Sequence, residues 1–362
     1  MSAVVKYVDF SRYQRIIVIS DIHADKEGFL GVLDKVGFSS EDALVIVGDI
    51  LEKGKYSLEI LRMVIELYQQ GNIYMVKGNN DTIFEDWFQD RVSTEDVLWY
   101  VKNREYSILK DMASELGVCC ESEEDICRLK RLIPEFFCKE LSFLEGLPHI
   151  IDCEFATFVH AGLQPGGLEE QDEEFCLTAT EFAYQGHVFE KRVIVGHWPS
   201  SNYSEGIIEA NVYRNTKTNV ISIDGGNSMK RWRQINYLIF DSSGKELECG
   251  YYDNLPKIQA LEDQEENEGY FSLIFPQTQV EVRNCTENKA VCYVPWLDRE
   301  IKIDANRIYE YKGKTYCSDM TTYHMKVKAG DVLSLCGMTK EGLQVKKDGI
   351  VGNYHGRYLE LK

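Results

Sequence analysis

Asp21 and His23 stand two positions apart, directly after four consecutive apolar residues, Ile16 to Ile19. Comparable groups recur along the chain beside glycine: Asp49 after Gly48, Asn79 after Gly78, His160 before Ala161-Gly162, His197 after Gly196 and Asp224 before Gly225-Gly226. Asp21, His23, Asp49, Asn79, His160 and His197 are all metal-ligand types. Two carboxylates, an amide oxygen and three imidazoles suit a pair of borderline divalent ions such as manganese, iron or zinc. A carboxylate shared by two ions about 3.5–4 Å apart supports activation of water and an in-line displacement at phosphorus. One histidine after a strand says little on its own. Three of the chain's seven histidines in such settings say more. His149, His187, His324 and His355 lack the setting and read as structural.

Each of these groups needs an element to deliver it. Ile16–Ser20, Ala43–Val47 and Ile73–Val76 read as buried strands, separated by amphipathic helices over Lys26–Val36 and Ser57–Gln70. In the first helix Phe29, Leu30 and Leu33 are expected on one face. This β-α-β-α-β run implies parallel strands with right-handed crossovers. Ala156–Val159, Arg192–Val195 and Val220–Ile223 add three more strands, and Ile235–Phe240 a closing one. A parallel sheet would then gather six polar strand ends on one edge, where α/β sheets place their sites. Thr82–Phe143 reads as mostly helical and outside the sheet. Its acidic run Glu121–Asp125 reads as a solvated loop or a helix start.

Composition narrows the class. The 362 residues are 44% apolar and 27% charged, the balance of a globular protein with one large and one small domain. No apolar run approaches a membrane span, and the first ten residues lack a signal-peptide core. Eleven cysteines without a Cys-x-x-Cys pair fit a reduced, cytoplasmic chain. Net charge is −19, with 26 basic and 48 acidic residues in 1–268 against 14 and 11 in 269–362. An acidic surface disfavours a broad nucleic-acid footprint.

Taken together, Asp21-Ile22-His23, Gly48-Asp49 through Gly54, Gly78-Asn79-Asn80-Asp81, His160-Ala161-Gly162 and Gly196-His197 resemble the five ordered signatures of calcineurin-like metallophosphoesterases. Leu147-Pro148 and Asp224-Gly225-Gly226 resemble the serine/threonine phosphoprotein phosphatase branch, whose bacterial relatives include symmetrical dinucleoside tetraphosphatases. The resemblance covers about Ile16 to Asn236. It implies a β-sandwich flanked by helices, with Asp21 and His23 on a first ion, Asp49 bridging, and Asn79, His160 and His197 completing a second. It implies manganese as the first choice of ion. It gives Lys53, where the family usually has Arg, a substrate phosphate oxygen to hold, with less directional control than a guanidinium. Glu52 replaces the usual Asp, and Asp224 lies near the site in related enzymes.

The third signature departs from the family. A His normally follows the Asn and protonates the leaving oxygen, oriented by the next acid. Here the pair is Asn80 and Asp81, and an amide delivers no proton at neutral pH. The reading is a metal-dependent phosphoesterase acting on an ester or anhydride with altered leaving-group scope. The alternative is a degenerate phosphatase serving as a metal- or phosphate-binding scaffold. Expected substrates are a phosphoprotein, a dinucleoside polyphosphate or a nucleic-acid end, with no membrane partner.

The expected boundaries are a phosphoesterase domain over 1–253, an acidic linker over 254–268 and a small β-barrel over 269–362. The barrel's strands are expected at 272–275, 280–283, 290–294, 308–311, 323–327, 332–336, 343–346 and 358–361. Lys328–Leu333 and Lys346–Gly352 resemble bacterial Src-homology-type barrels. The tyrosines there read as core and snorkelling side chains ahead of a groove for a peptide partner.

Overall fold

The computed structural model describes residues 2–339 and 342–361. The chain forms two units, Met1–Ser200 with Asn211–Asn254, and Ser201–Ala210 with Leu255–Lys362.

The first unit holds two sheets, the sandwich that the family resemblance implies, rather than the one parallel sheet read from the strand run. The first runs in the order Glu246–Tyr252, Ile235–Asp241, Arg15–Ile19, Asp42–Ile46, Ile73–Met75. Its last three strands are parallel. The second runs Val5–Tyr7, Ile150–Asp152, Ala156–Val159, Arg192–Val195, Val220–Ser222, Tyr213–Asn215. There the strands Ala156–Val159, Arg192–Val195 and Val220–Ser222 are the parallel trio. The six strand ends singled out above therefore come three from each sheet.

Side-chain alternation explains why the first strand is apolar throughout. Ile16 and Val18 face an inter-sheet core with Phe158, Ile194 and Leu238, while Ile17 and Ile19 face a helix-covered core with Phe29, Leu61 and Val64. All four are 0% exposed, each contributing about 1.5–3 kcal/mol of burial. The result is a mixed α/β sandwich with helices over the outer face of the first sheet.

The Lys26–Val36 helix starts at Asp25, whose carboxylate accepts the Gly28 N–H, and stops at left-handed Gly37. Phe29, Val32 and Val36 form its buried stripe, whereas Leu30 points outward at 44% exposure, contrary to the expected face. Five helices between Ile83 and Glu145 fill the segment expected to be helical. The acidic run opens one of them: Ser122 caps Glu123–Phe136 reciprocally with Asp125, and three acids sit in the first turn, where the helix dipole favours them.

The second unit is all β. Its main antiparallel sheet runs Tyr358–Leu361, Lys257–Ala260, Val332–Thr339, Gly342–Lys347, Ile350–Tyr354, Ile208–Glu209. Three differences from expectation stand out. Lys257–Ala260, inside the stretch read as linker, is an interior strand with Ile258 and Ala260 fully buried. The unit has two apolar cores instead of one barrel core: one around Ile258, Leu333, Val345 and Tyr354, the other around Leu273, Cys292, Val294 and Ile303. Residues 323–327 make isolated bridges, not a strand, although Tyr323, Met325 and Val327 are buried. Tyr323 and Tyr354 are core residues, as read; Trp296, Tyr309 and Tyr311 stay exposed. All eleven cysteines are free thiols. No described helix is long and apolar enough to cross a membrane.

Candidate metal centre

The carboxyl ends of both parallel trios meet around Asp49. Asp49 Oδ2 lies 3.8 Å from His23 Nε2, and its Oδ1 lies 3.5 Å from His160 Nε2. Asp21 Oδ1 is 3.7 Å from the same His23 nitrogen. Asn79 Oδ1 is 3.0 Å from His160 Nε2 and 2.9 Å from His197 Nδ1. The six side chains read as ligands thus form one continuous group, with Asp49 between its halves.

The ring nitrogens are turned for ligation. His160 Nδ1 is 2.9 Å from the Val47 carbonyl, and His23 Nδ1 is 3.2 Å from the Leu51 carbonyl. Each bond takes an N–H to the carbonyl and turns Nε2 toward Asp49. His197 is held likewise by the Thr178 backbone, which leaves Nδ1 toward Asn79. Two donors about 2.1 Å from one ion lie about 3.0–3.4 Å apart, close to the spacings seen here. Asp21, His23 and Asp49 place ligand atoms within 4.8 Å of one another. Asp21 Oδ1 is buried with no hydrogen-bond partner, a costly state that a cation would relieve. The donor set fits divalent ions.

Electrostatics agree. Burial and the neighbouring charges of Asp224 and Asp49 push the Asp21 carboxyl far up. Burial raises Asp224 to about 6. Burial opposes a charged His160, yet Asp49 and Asp21 lift it to about 10, while burial and nearby cations hold His23 and His197 near 3. Burial opposes a charged Asp49 as well, yet His160 and His23 hold its carboxyl low, so the shortage of positive charge falls on Asp21 and Asp224.

Local backbone geometry is unusual. Asp21, His23, Asp49 and His197 all have φ between 48° and 64°. Such conformations cost about 1–3 kcal/mol each and persist where the surroundings over-determine them. Glycines make room: a Cβ on Gly48 would lie 2.5 Å from His160 Nδ1, and one on Gly78 would lie 2.3 Å from Asp49 Oδ1.

The remaining predicted residues divide. Asn80 donates from its backbone to Asp49 Oδ1 at 2.8 Å and from Nδ2 to Oδ2 at 2.6 Å. Asp81, expected to orient the residue at position 80, instead accepts the backbone N–H groups of Gly78, Asp49, Ile50 and Leu51 at 2.9–3.3 Å. It clamps two strand-end loops together, which makes it a positioning residue. Lys53 Nζ is 3.1 Å from His23 Nε2, at the edge of the group. Asp224 is buried beside Asp21, with Oδ1 taken by the Gly226 N–H.

Two things escaped the sequence reading: the contacts made by Glu52 and a neighbouring cavity. Glu52 is buried and accepts from Tyr100 Oη at 2.7 Å, the Ile108 N–H at 2.8 Å and Ser107 Oγ at 3.2 Å, tying two helices to the site loop. Beside Asn79 and Asn80 lies a cavity of about 480 Å³ lined by Ile83, Trp99, Tyr100 and Arg104.

Together these define an α/β sandwich with a candidate metal centre. Residues 14–149, less than half of the chain, match the model of the calcineurin-like phosphoesterase family. That match ends before His160 and His197, which the fold brings in. The chain is 31% identical over 72 residues to an asymmetrical bis(5'-nucleosyl)-tetraphosphatase of Bacillus velezensis, covering 17% of this chain and 29% of that protein. It is 41% identical over 64 residues to a symmetrical bis(5'-nucleosyl)-tetraphosphatase of Buchnera aphidicola, covering 17% and 22%. It therefore spans less than a third of these curated relatives. A solved structure of a putative diadenosine tetraphosphatase is 20% identical, covering 70% of this chain and 99% of that one, with a TM-score of 0.46.

Proposed function

We propose that the chain is a divalent-metal-dependent phosphoesterase that hydrolyses a phosphate ester or anhydride, with Asn80 in place of a general acid. The observation that carries this is Asp49, whose two oxygens face histidines from opposite sides, His23 and His160. Asp21, His23 and Asp49 would hold one ion, and Asp49, Asn79, His160 and His197 a second. Manganese, iron and zinc all suit these donors. When bound, such a pair supplies Lewis acidity toward phosphoryl oxygens and lowers the pKa of water.

The chain's own residues do the rest. The Lys53 ammonium stands beside His23 as a donor for a phosphate oxygen. Asp81 fixes the loop carrying Asn79 against the loop carrying Asp49. Asn80 holds both oxygens of Asp49 and delivers no proton, so leaving groups that depart as stable anions are favoured: anhydrides, aryl esters and some diesters. The aromatic cavity beside Asn80 supports a ring-bearing leaving group. The tetraphosphatases among the curated relatives support a phosphorylated substrate such as a dinucleoside polyphosphate.

The test is to purify the protein, count bound metal and compare hydrolysis of an aryl phosphomonoester with that of an aryl diester. Bound divalent metal and manganese-dependent turnover are expected. Absence of both overturns the proposal. Tight phosphate or nucleotide binding without turnover would instead establish the scaffold role.

A further inference from the structure

A second cavity adjoins the centre on the Lys53 side. It measures about 570 Å³, within the range of small-molecule sites. Its walls include Lys53, Lys55, Lys230, Arg231 and Arg233, opposed by two acids, Asp25 and Glu27. This concentration is out of character for residues 1–268, whose net charge is −22. Asp25 is already committed, capping the helix at Gly28 N and meeting Asn254 Nδ2 at 3.3 Å. Among the described residues, Lys53, Lys55 and Arg231 form no close ion pair, although Lys53 acts at longer range on Asp49 and Asp224. Unpaired cations that converge on one concavity raise the local concentration of anions.

The walls are also pre-formed. Ala24, Lys53 and Ser228 line the cavity with φ of 55°, 68° and 57°, a conformation that non-glycine residues adopt at a cost. A Cβ on Gly54 would lie 2.2 Å from the His23 carbonyl oxygen, so this loop is pressed against the ligand loop. The opposite wall comes from Lys230-Arg231-Trp232-Arg233, where Trp232 is buried at 1% exposure and anchors the basic neighbours.

We infer that this cavity is a subsite for an oligophosphate tail: one or two further phosphates linked to the one that reacts. A phosphoryl group at Asp49 would contact Lys53, and a linked phosphate would continue into the cavity toward Lys55 and Arg231. The limited volume of this open cleft and the acidic surroundings favour a compact oligophosphate over a long nucleic-acid backbone. The tail can belong to inorganic tripolyphosphate or to a nucleoside polyphosphate. The inference rests on the phosphoesterase reading above and specifies its substrate.

The test compares wild type with Lys55→Ala/Arg231→Ala, both exposed positions outside the ligand set. Turnover is measured with 4-nitrophenyl phosphate, inorganic tripolyphosphate and adenosine 5'-tetraphosphate. For the two oligophosphates, KM is expected to rise roughly tenfold or more, with the wild-type advantage shrinking at high salt. kcat/KM for 4-nitrophenyl phosphate should change less than about twofold by the same screening logic. A larger effect on the nucleotide than on tripolyphosphate assigns the tail to a nucleotide; equal effects assign it to the phosphates alone. Equal losses on all three substrates, or none on any, overturn the inference. Calorimetric titration of tripolyphosphate into protein in EDTA separates it from the parent reading. Binding lost in the double variant supports the subsite even where no turnover occurs, and absence of millimolar binding by wild type refutes it.

Discussion

Placing a proton donor at position 80 is the sharpest probe of the centre. In Asn80→His an imidazole replaces an amide whose Nδ2 donates to Asp49 Oδ2 at 2.6 Å. Two effects oppose each other. A general acid typically accelerates departure of a poor leaving group by about 10²–10⁴-fold. Loss of a hydrogen bond to a charged acceptor costs about 1.5–3 kcal/mol, or roughly 10- to 150-fold if fully expressed in the rate. The backbone bond from residue 80 to Asp49 Oδ1, 2.8 Å, is kept, so the carboxylate is not released entirely. The net change on an alkyl phosphate can therefore be modest, whereas the ratio of alkyl to aryl kcat/KM isolates the proton. That ratio should rise by about 10²–10⁴-fold, because the cost at Asp49 is common to both substrates. A descending alkaline limb should also appear for the alkyl substrate, near the ordinary imidazole pKa of about 6.5. The assay is steady-state kinetics on an alkyl and an aryl monoester, with bound metal counted in both proteins. An unchanged ratio in a variant with full metal content refutes the account of Asn80.

Three further outcomes follow from particular contacts. Manganese at 100 times its dissociation constant should stabilise the metal-free protein by about 2.7 kcal/mol, a rise of about 5–10 °C in melting temperature, and EDTA should reverse it; an unchanged scan argues against the site. Tyr100→Phe removes the hydroxyl that donates to buried Glu52 and should cost about 1.5–3 kcal/mol in urea unfolding, with no loss of bound metal. His149 accepts the Val4 N–H at Nδ1 and is 4% exposed; burial holds its pKa near 4. Because the fold depresses this pKa, the unfolded chain takes the proton first, so stability is full above pH 6.5 and falls as pH drops toward 4, by about 2–3 kcal/mol. His149→Gln should flatten that window, and an equal acid loss in the variant would exclude His149 as its source.

How far the sequence revealed the site depends on which forces fix each residue. Ligand-bearing turns were legible because strand runs, glycines and donor types lie within a few residues: Gly48 must admit His160, and Gly78 must admit Asp49. Sheet membership was not legible. A right-handed β-α-β run looks alike whether later strands join the same sheet or stack on it, so the six strand ends seemed to share one edge. The role of Asp81 was hidden for a related reason. Its four partners are backbone N–H groups, identical in every residue, and three of them lie about thirty positions upstream. Lys257–Ala260 did carry a signal, since Ile258 and Ala260 alternate with polar neighbours, but the acids that follow outweighed it. Its partner strands lie more than seventy residues later, where no local pattern can reach.

Asp49 keeps its place with an amide, not an imidazole, at position 80. Asn80 and Asp81 are consecutive, yet they act on opposite sides of Asp49. The Asn80 amide groups hold the carboxylate, and Asp81 holds the Asp49 backbone N–H. Position 80 can thus exchange proton delivery for a hydrogen bond while the ligand turn stays clamped from beneath. A disruption of Asp81 should accordingly be worse than any change at Asn80: Asp81→Ala leaves four buried N–H groups without their acceptor, at about 1–3 kcal/mol each before relaxation. Loss of metal content and a large loss of fold stability are expected in Asp81→Ala, against retained metal and at most the about 1.5–3 kcal/mol of one charged hydrogen bond in Asn80→Ala; equal tolerance of the two would show that the ligand turn is held by something other than this clamp.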